Sequence, residues 1–413
     1  MTRGTSRSRR IKWWLALPAV VVGTGAVVAF TNGVPNMHRA EADGEQVLRG
    51  RQLVMESACG GCHGGADPAA EGWLAGYTGA LPPEVQDFQV GPFHTYARNI
   101  TPDNATGIGR FSERQIFNAL RYGLRPGETP DVEITSSTPG EGNFPVNPKY
   151  LAPFMPWPAW RHLSDDDLWA IAAYLKRGVK PVRHRVEDSE GPPDFWAEWY
   201  AAEEYGGYPA PEFPTANETM PAAGTADLDQ VLRGRAVVVR HDCGGCHGGF
   251  VNPAADGWLT GDANPEPELL LGACAGGDPE ATPCFRSRPR NLTPDMATGI
   301  GRFSERQIFN ALRYGLRPSE TPDVEITSTT PGEGNFPVNP KYLAPFMPWQ
   351  YWRHMSDDDL WAIAAYLKHG LKPVNNHVDD SDAPPDSWAG AYTVEAIGTV
   401  PPPSFPTANE IGW

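Results

Sequence analysis

Two identical pentapeptides, Cys-Gly-Gly-Cys-His, lie at Cys59–His63 and Cys243–His247. Cys-x-x-Cys-His is the motif to which c-type haem is attached covalently. Its cysteines, three residues apart on a helical turn, present both sulfurs on one face, and the next residue binds the iron as proximal ligand. A zinc site is the alternative, but it needs four nitrogen or sulfur ligands, and neither motif has a second Cys or His pair at the required spacing. The motifs therefore predict two covalently bound haem c groups. The residues predicted to hold them are Cys59, Cys62, His63, Cys243, Cys246 and His247.

Both motifs lie inside a long internal repeat. Residues 110–157 recur at 302–349, with 46 of 48 positions identical. The segment Phe-Pro-Thr-Ala-Asn-Glu at 213–218 returns at 405–410. Such a pattern indicates duplication of a structural unit. The sequence thus predicts two similar domains, each including the segment that follows it.

The second axial ligand must stand at equivalent positions of the two repeats if both haems are ligated alike. Of the eight methionines, only Met155 and Met347 form such a pair, each in the stiff apolar sequence Pro-Phe-Met-Pro-Trp. Among the histidines outside the motifs, only His162 and His354 are paired, each close to a predicted helix start. A thioether ligand raises the iron potential and fills the sixth position, which favours electron transfer over peroxide chemistry. Methionine is the favoured ligand; histidine and an open position are the alternatives.

Each repeat carries three helical signals. In the first repeat, residues 45–58 form one predicted helix, with Gly50 where a close helix crossing needs no side chain. A capping box at Ser112 starts the second helix, which ends before Gly123, and a similar box at Ser164 starts the third. The sequence therefore predicts an all-α fold with about three main helices per repeat and long loops rich in Pro and Gly.

Composition and charge narrow the class of partner. The 413 residues include 44 Gly and 43 Pro, which indicates long irregular connections between elements. The formal net charge is −16, so nucleic acid is excluded as an expected partner. An acidic protein of this kind is expected to dock on a basic face of another protein.

The N-terminus carries a targeting signal. Several Arg and Lys residues precede an uncharged run of 18 residues at 13–30. This length lies between the core of a signal peptide and a full membrane span of about 20 residues. We favour a retained membrane anchor over a cleaved signal peptide. The positive-inside rule then places the haem domains on the extracytoplasmic face of a bacterial-type membrane.

The chain divides into five predicted segments. They are a signal peptide or membrane anchor at 1–30, a first domain at 45–180 (repeat 1), an acidic Pro-rich connector at 181–228, a second domain at 229–372 (repeat 2) and a C-terminal tail at 373–413.

The order of the motifs resembles the class I cytochromes c, in particular their membrane-anchored bacterial mono- and dihaem relatives. The resemblance covers 45–180 and 229–372, and in repeat 1 its motifs are Arg49-Gly50, Cys59–His63, 98–103, 106–109, 154–157 and 163–175. It implies two tandem class I cytochrome c domains with Met155 and Met347 as axial ligands. It also implies a helix crossing where Gly50 meets Tyr174, and the equivalent crossing in repeat 2. The Pro- and Gly-rich loop at 125–154 departs from the family pattern.

Four further residues are candidates for haem contacts. Arg98 and Arg290 are expected to pair with haem propionates, for which Arg offers bidentate bonds; a solvated surface arginine is the alternative. Trp157 and Trp349 follow the predicted methionine ligands and are expected to form walls of the haem sites by packing.

Cys274 and Cys284 are the only other cysteines. No histidine follows Cys284, so they do not form a third haem motif. In an oxidising compartment we expect a disulfide that closes a short loop.

The sequence predicts an electron carrier and not an enzyme. Two His/Met-ligated haems would pass single electrons between redox partners such as a quinol-oxidising complex, a dehydrogenase, an oxidase or another acceptor. One alternative is the tightly bound electron-accepting cytochrome subunit of a periplasmic dehydrogenase. The others are a dihaem enzyme, such as a peroxidase or thiosulfate dehydrogenase, and a haem-bearing filament.

Overall fold

The structure is a computed structural model. It describes residues 34–77, 87–90, 93–188, 200, 207–261, 269–271, 285–345, 347–379, 389–390 and 392–412. Met1–Ala42 and Asp43–Trp413 form separate units. Of the first unit only residues 34–42 are described, and they begin the first helix. Both repeats lie within the second, compact unit.

Repeat 1 is built of short helices joined by long irregular loops. Its first helix begins earlier than predicted, and one short antiparallel strand pair, which the sequence did not predict, precedes the second main helix. The elements are α1 Val34–Glu56, α2 Cys59–His63, β1 Asp87–Val90, β2 Phe93–Tyr96, α3 Glu113–Tyr122, α4 Trp157–Trp160 and α5 Asp165–Ala173, continued by a π turn at Tyr174–Gly178.

Repeat 2 has the same order of elements, followed by one extra helix in the tail. They are α6 Leu228–Arg240, α7 Cys243–His247, β3 Leu269–Leu271, β4 Phe285–Ser287, α8 Glu305–Tyr314, α9 Trp349–Trp352, α10 Asp357–Ala365 with a π turn at Tyr366–Gly370, and α11 Val394–Ile397.

The capping box predicted at Ser112 is present, whereas at Ser164 only the bond from the Asp167 N–H to the hydroxyl forms. The Ser112 hydroxyl accepts a hydrogen bond from the Gln115 backbone N–H, and the Gln115 side chain accepts one from the Ser112 N–H. Gly123 ends α3 in the left-handed region at φ 69°, which suits a residue without a β-carbon. The same box and glycine recur around α8. These local signals place α3 and α8 independently of the rest of the fold.

Each repeat has its own hydrophobic core around a close helix crossing. A β-carbon at Gly50 would lie 2.8 Å from Cβ of Tyr174, and one at Gly234 would lie 2.9 Å from Cβ of Tyr366. Because glycine has no β-carbon, α1 approaches α5, and α6 approaches α10, at backbone distance. This confirms the Gly–Tyr contacts that the family resemblance implies.

The two Phe-Pro-Thr-Ala-Asn-Glu segments do not fold back on the repeats that precede them. Glu218, which follows repeat 1, binds Arg235 of repeat 2, with Nε 2.6 Å from Oε1. Glu410, which follows repeat 2, binds Arg51 of repeat 1 at the same distance. In sequence order each segment follows one repeat, whereas in the structure it binds the other repeat. We call 213–218 and 405–410 the clasp segments.

The predicted anchor at 13–30 and the predicted disulfide between Cys274 and Cys284 lie outside the described residues. In the part of the chain that the structure describes, no helix is both long and apolar enough to cross a bilayer.

Candidate haem-binding sites

Each Cys-x-x-Cys-His motif forms a single helical turn, α2 or α7. The residue before the turn has left-handed backbone geometry, with φ 60° at Ala58 and φ 51° at Asp242. A glycine with φ near 100° ends each turn, at Gly64 and Gly248. The chain therefore turns sharply on both sides of the motif and holds its residues on one short helix. The motif cysteines are Cys59, Cys62, Cys243 and Cys246.

The motif histidines are oriented by backbone carbonyl groups. His63 Nδ1 lies 2.6 Å from the carbonyl oxygen of Arg98, and His247 Nδ1 lies 2.6 Å from that of Arg290. Because a carbonyl only accepts, Nδ1 carries the proton and donates, which leaves Nε2 unprotonated and able to bind a metal. Burial lowers the pKa of both histidines, so the neutral form that binds metal is favoured.

An asparagine turn holds the Arg98 carbonyl in place. Asn99 Oδ1 accepts from the backbone N–H of Thr101 at 2.9 Å, and Asn99 Nδ2 donates to the carbonyl of Val182 at 2.8 Å. The Ile100 N–H also binds the Leu74 carbonyl at 3.0 Å, beside the haem motif. The Arg-Asn-Ile-Thr motif thus acts through its backbone, which side-chain reasoning from the sequence missed.

The predicted methionine ligands lie on the same cores as the haem motifs. Met155 and Cys59 both pack on the repeat 1 core, and Met347 and Cys243 both pack on the repeat 2 core. A tight turn holds Met155, since its N–H binds the Ala152 carbonyl at 2.9 Å. The structure therefore places one motif thiol and the predicted thioether on each core, with the second thiol and the imidazole on the same short helix. This donor set fits covalently attached haem c.

The competing histidine of repeat 1 lies beside an aromatic ring of the connector. The His162 ring lies 5.5 Å from the ring of Tyr208, and its Nε2 is buried without a hydrogen-bond partner among the described residues. Burial, reinforced by Arg161, lowers the pKa of His162 to about 3. Burial likewise lowers the pKa of His354 to about 4.

The predicted propionate arginines have protein partners in the structure. Arg98 donates to the Val186 carbonyl and pairs with the Asp188 carboxylate, and Arg290 donates to the Val378 carbonyl. Their contact with propionates stays a prediction.

The predicted haem walls belong to aromatic clusters. The Trp157 ring stacks on Tyr150 at 6.0 Å and meets Tyr200 edge-on at 4.9 Å. Trp349 stacks on Tyr342 in the same way at 5.9 Å. The connector residue Tyr200 therefore packs on repeat 1. The wall role of Trp157 and Trp349 stays a prediction.

Each repeat has a further tryptophan beside its haem motif that the sequence did not predict as part of the site. Trp73 lies against Gly60 of the haem motif and donates from Nε1 to the Tyr174 hydroxyl at 3.0 Å. That hydroxyl donates to Glu410 at 2.7 Å, which joins the haem motif to the clasp segment through buried groups. Trp258 and Tyr366 repeat the arrangement, with a bond of 2.9 Å. The near-equal spacing of each Trp from its Cys-x-x-Cys-His motif was the available sequence signal.

The zinc alternative requires a cluster of protein ligands. Within the described ranges, no group of three or more His, Cys, Asp or Glu side chains is placed to hold a metal ion.

No protein-family model matches the chain. The chain is similar to the gluconate 2-dehydrogenase cytochrome c subunit of Pantoea cypripedii, with 30% identity over 372 residues, which cover 88% of this chain and 67% of the relative. It is 28% identical to the cytochrome c subunit of alcohol dehydrogenase (quinone) from Gluconacetobacter polyoxogenes, covering 86% of this chain and 62% of that protein. It is 27% identical to the fructose dehydrogenase cytochrome subunit of Gluconobacter japonicus, covering 67% of this chain and 46% of that protein. The chain thus spans about two thirds of the first relative's length and less of the others.

All three relatives are cytochrome subunits of dehydrogenases. They favour the alternative of a dehydrogenase subunit over an independently diffusing carrier.

Proposed function

Because the chain belongs to the family of cytochrome c subunits of dehydrogenases, we propose that it is the dihaem electron-accepting subunit of an extracytoplasmic dehydrogenase. As a c-type cytochrome it binds haem c covalently. We assign one haem to Cys59 and Cys62, and the other to Cys243 and Cys246. The N-terminal apolar run would tether the chain to the membrane.

One observation supports the assignment of two haems to the chain. In both repeats a motif histidine donates from Nδ1 to a carbonyl at 2.6 Å, and a methionine packs on the same core as the first motif cysteine. The same types of donor group therefore occur in both repeats, which supports one haem in each. We therefore propose His63 and Met155 as the axial pair of one site, and His247 and Met347 as that of the other.

The residues of the chain then have separate roles. Haem c, when bound, accepts and donates single electrons. The Arg98 and Arg290 carbonyls hold each histidine in the tautomer that leaves Nε2 for iron. The Met155 and Met347 thioethers favour the reduced state and fill the position at which oxygen or peroxide would bind.

Haem counting tests this proposal. The full chain, expressed with a haem c maturation system, is expected to carry two haem equivalents by alkaline pyridine spectroscopy. Replacing Cys59 and Cys62 by Ser should remove one equivalent, and replacing Cys243 and Cys246 should remove the other. A wild-type chain with one equivalent would contradict the dihaem assignment.

Purification from the native membrane tests the partner. A tagged chain should retain a dehydrogenase subunit at a stable ratio, and the complex should reduce its haem on addition of gluconate, ethanol or fructose. A chain that purifies alone, without any dehydrogenase subunit, would favour the independent carrier instead.

A further inference from the structure

The two haem motifs differ in what covers them. At Gly61, in the repeat 1 motif, a β-carbon would lie 2.7 Å from Cζ of Tyr351, which belongs to repeat 2. At Gly245, the equivalent glycine of repeat 2, a β-carbon would instead lie 2.6 Å from Cγ of Asp242. An aromatic ring therefore covers one motif, and a carboxyl group covers the other.

Two sequence differences between the repeats account for these different neighbours. The counterpart of Asp242 in repeat 1 is Ala58, which leaves room for the Tyr351 ring. The counterpart of Tyr351 in repeat 1 is Ala159, which is buried in the repeat 2 core. The helix after the methionine, α4 in repeat 1 and α9 in repeat 2, therefore packs against the other repeat. Only α9 places a large side chain against a haem motif.

The Asp242 carboxyl group is held close to its motif. Its Oδ1 is buried without a hydrogen-bond partner among the described residues. Burial raises the pKa of Asp242 to about 7, opposed by the hydrogen bond with the Gly245 backbone. The titratable groups that face it are the Cys243 and Cys246 thiols, whose pKa burial raises and the Asp242 charge raises further. Above pH 7 the carboxyl group is mainly ionised.

The Tyr351 ring brings no charge to its motif. Burial raises the pKa of Tyr351 to about 12, so its hydroxyl stays neutral at physiological pH. Glu56 and Arg240 precede the two motifs and face each other across the interface, and the buried Asp67 follows the repeat 1 motif. Asp242 is the carboxyl group that lies against the repeat 2 motif, and its counterpart in repeat 1 is uncharged.

Resting on the dihaem function proposed above, we propose that Asp242 lowers the reduction potential of the repeat 2 site. An oxidised haem carries one more positive charge than a reduced one, so a nearby carboxylate stabilises the oxidised state. The covering Tyr351 ring excludes water from the other site, which disfavours its more charged, oxidised state.

Spectroelectrochemical titration of the holoprotein tests this. At about pH 8.5, where Asp242 is ionised, the wild type should give two one-electron waves. Replacing Met155 or Met347 by His lowers one wave and so assigns each to its repeat. Asp242→Asn should raise the reduction potential of the repeat 2 wave by about 59 mV, which corresponds to a tenfold change in the equilibrium constant of a one-electron step. The potential of the repeat 1 wave should not change. The exposed carboxylate of Asp256, in the same repeat, is the matched control, and Asp256→Asn should move neither wave.

The reciprocal variant does not depend on Asp242 itself. Ala58→Asp combined with Tyr351→Ala gives repeat 1 the arrangement of repeat 2 and should lower the repeat 1 wave by a similar amount. Two haems and two waves that Asp242→Asn leaves unmoved would overturn this inference while the proposed function stands. A chain with a single haem or a single one-electron wave would overturn the proposed function itself.

Discussion

Glu56 and Arg240 occupy equivalent positions of the two repeats and meet each other where the repeats join. Glu56 Oε1 lies 3.8 Å from Nη2 of Arg240, which also lies 3.5 Å from the carboxylate of Asp359. The Glu56 side chain is fully buried. If the two repeats were identical here, like charges would face each other. Opposite charges therefore favour pairing of repeat 1 with repeat 2 over pairing of a repeat with its own copy.

The pH dependence of stability should report on Glu56. Burial, only partly offset by Arg240, raises its pKa from the ordinary value of 4.5 to about 7. The folded protein therefore binds this proton more tightly than the unfolded chain, and stability falls as pH rises from 4.5 through 7. Glu56→Gln should raise the free energy of unfolding at pH 8 by roughly 2–3 kcal/mol and change little at pH 5.

Guanidinium denaturation of the holoprotein at several pH values measures this effect. Glu71→Gln, which replaces an exposed carboxyl group, is the control and should keep the wild-type pH slope. Equal pH slopes for Glu56→Gln and the wild type would contradict the prediction.

Loss of a clasp carboxylate should destabilise the repeat that it touches and not the repeat that precedes it. Glu410 is fully buried and binds Arg51 and Tyr174, and Glu218 binds Arg235 and Tyr366 at matching distances. Removing one partner of a buried ion pair costs about 3–5 kcal/mol. We expect Glu410→Ala to speed amide hydrogen exchange in α1 and α5 of repeat 1.

Each clasp variant serves as the control for the other. Glu218→Ala should speed exchange in α6 and α10 of repeat 2 instead. If Glu218→Ala loosened repeat 1, the exchange of clasp segments would be wrong.

Each methionine should account for half of the far-red absorption band of Met-ligated haem. Met155→Ala and Met347→Ala should each remove about half of this band, because each removes one thioether from one iron. Met296 is 68% exposed and has no methionine counterpart in repeat 1, so Met296→Ala should leave the band unchanged. A band that survives both ligand substitutions would show that another residue binds iron.

The helix crossing should not tolerate a methyl group. A β-carbon at Gly50 would lie 2.5 Å from the carbonyl carbon of Ala170, so α1 and α5 would have to separate. We expect Gly50→Ala to cost about 3 kcal/mol in the free energy of unfolding. Gly207 has open space around its β-carbon position, and Gly207→Ala should be nearly neutral. Equal thermal midpoints for the two variants would contradict this account.

Local signals allowed much of the haem-site chemistry to be predicted. The spacing in Cys59–His63 is set within one helical turn, and the capping box at Ser112 acts within four residues. The Gly50–Tyr174 crossing followed from a family resemblance and is present. The roles of the Arg98 carbonyl and of Trp73 were not predicted from the sequence. A backbone carbonyl group has no sequence signature, and a single tryptophan is typical of a hydrophobic core.

The sequence by itself determined what each repeat contains: a haem motif, a paired methionine and capped helices, because these depend on neighbours along the chain. Only the tertiary structure decided which clasp segment docks on which repeat. Residues 213–218 and 405–410 are identical, and both repeats offer an Arg and a Tyr to receive them. Their local contacts are therefore degenerate, and neighbours along the chain do not decide which repeat each segment binds. The same long-range packing placed Tyr351 on Gly61 and left Asp242 on Gly245, so it made two nearly identical sequences into two different sites.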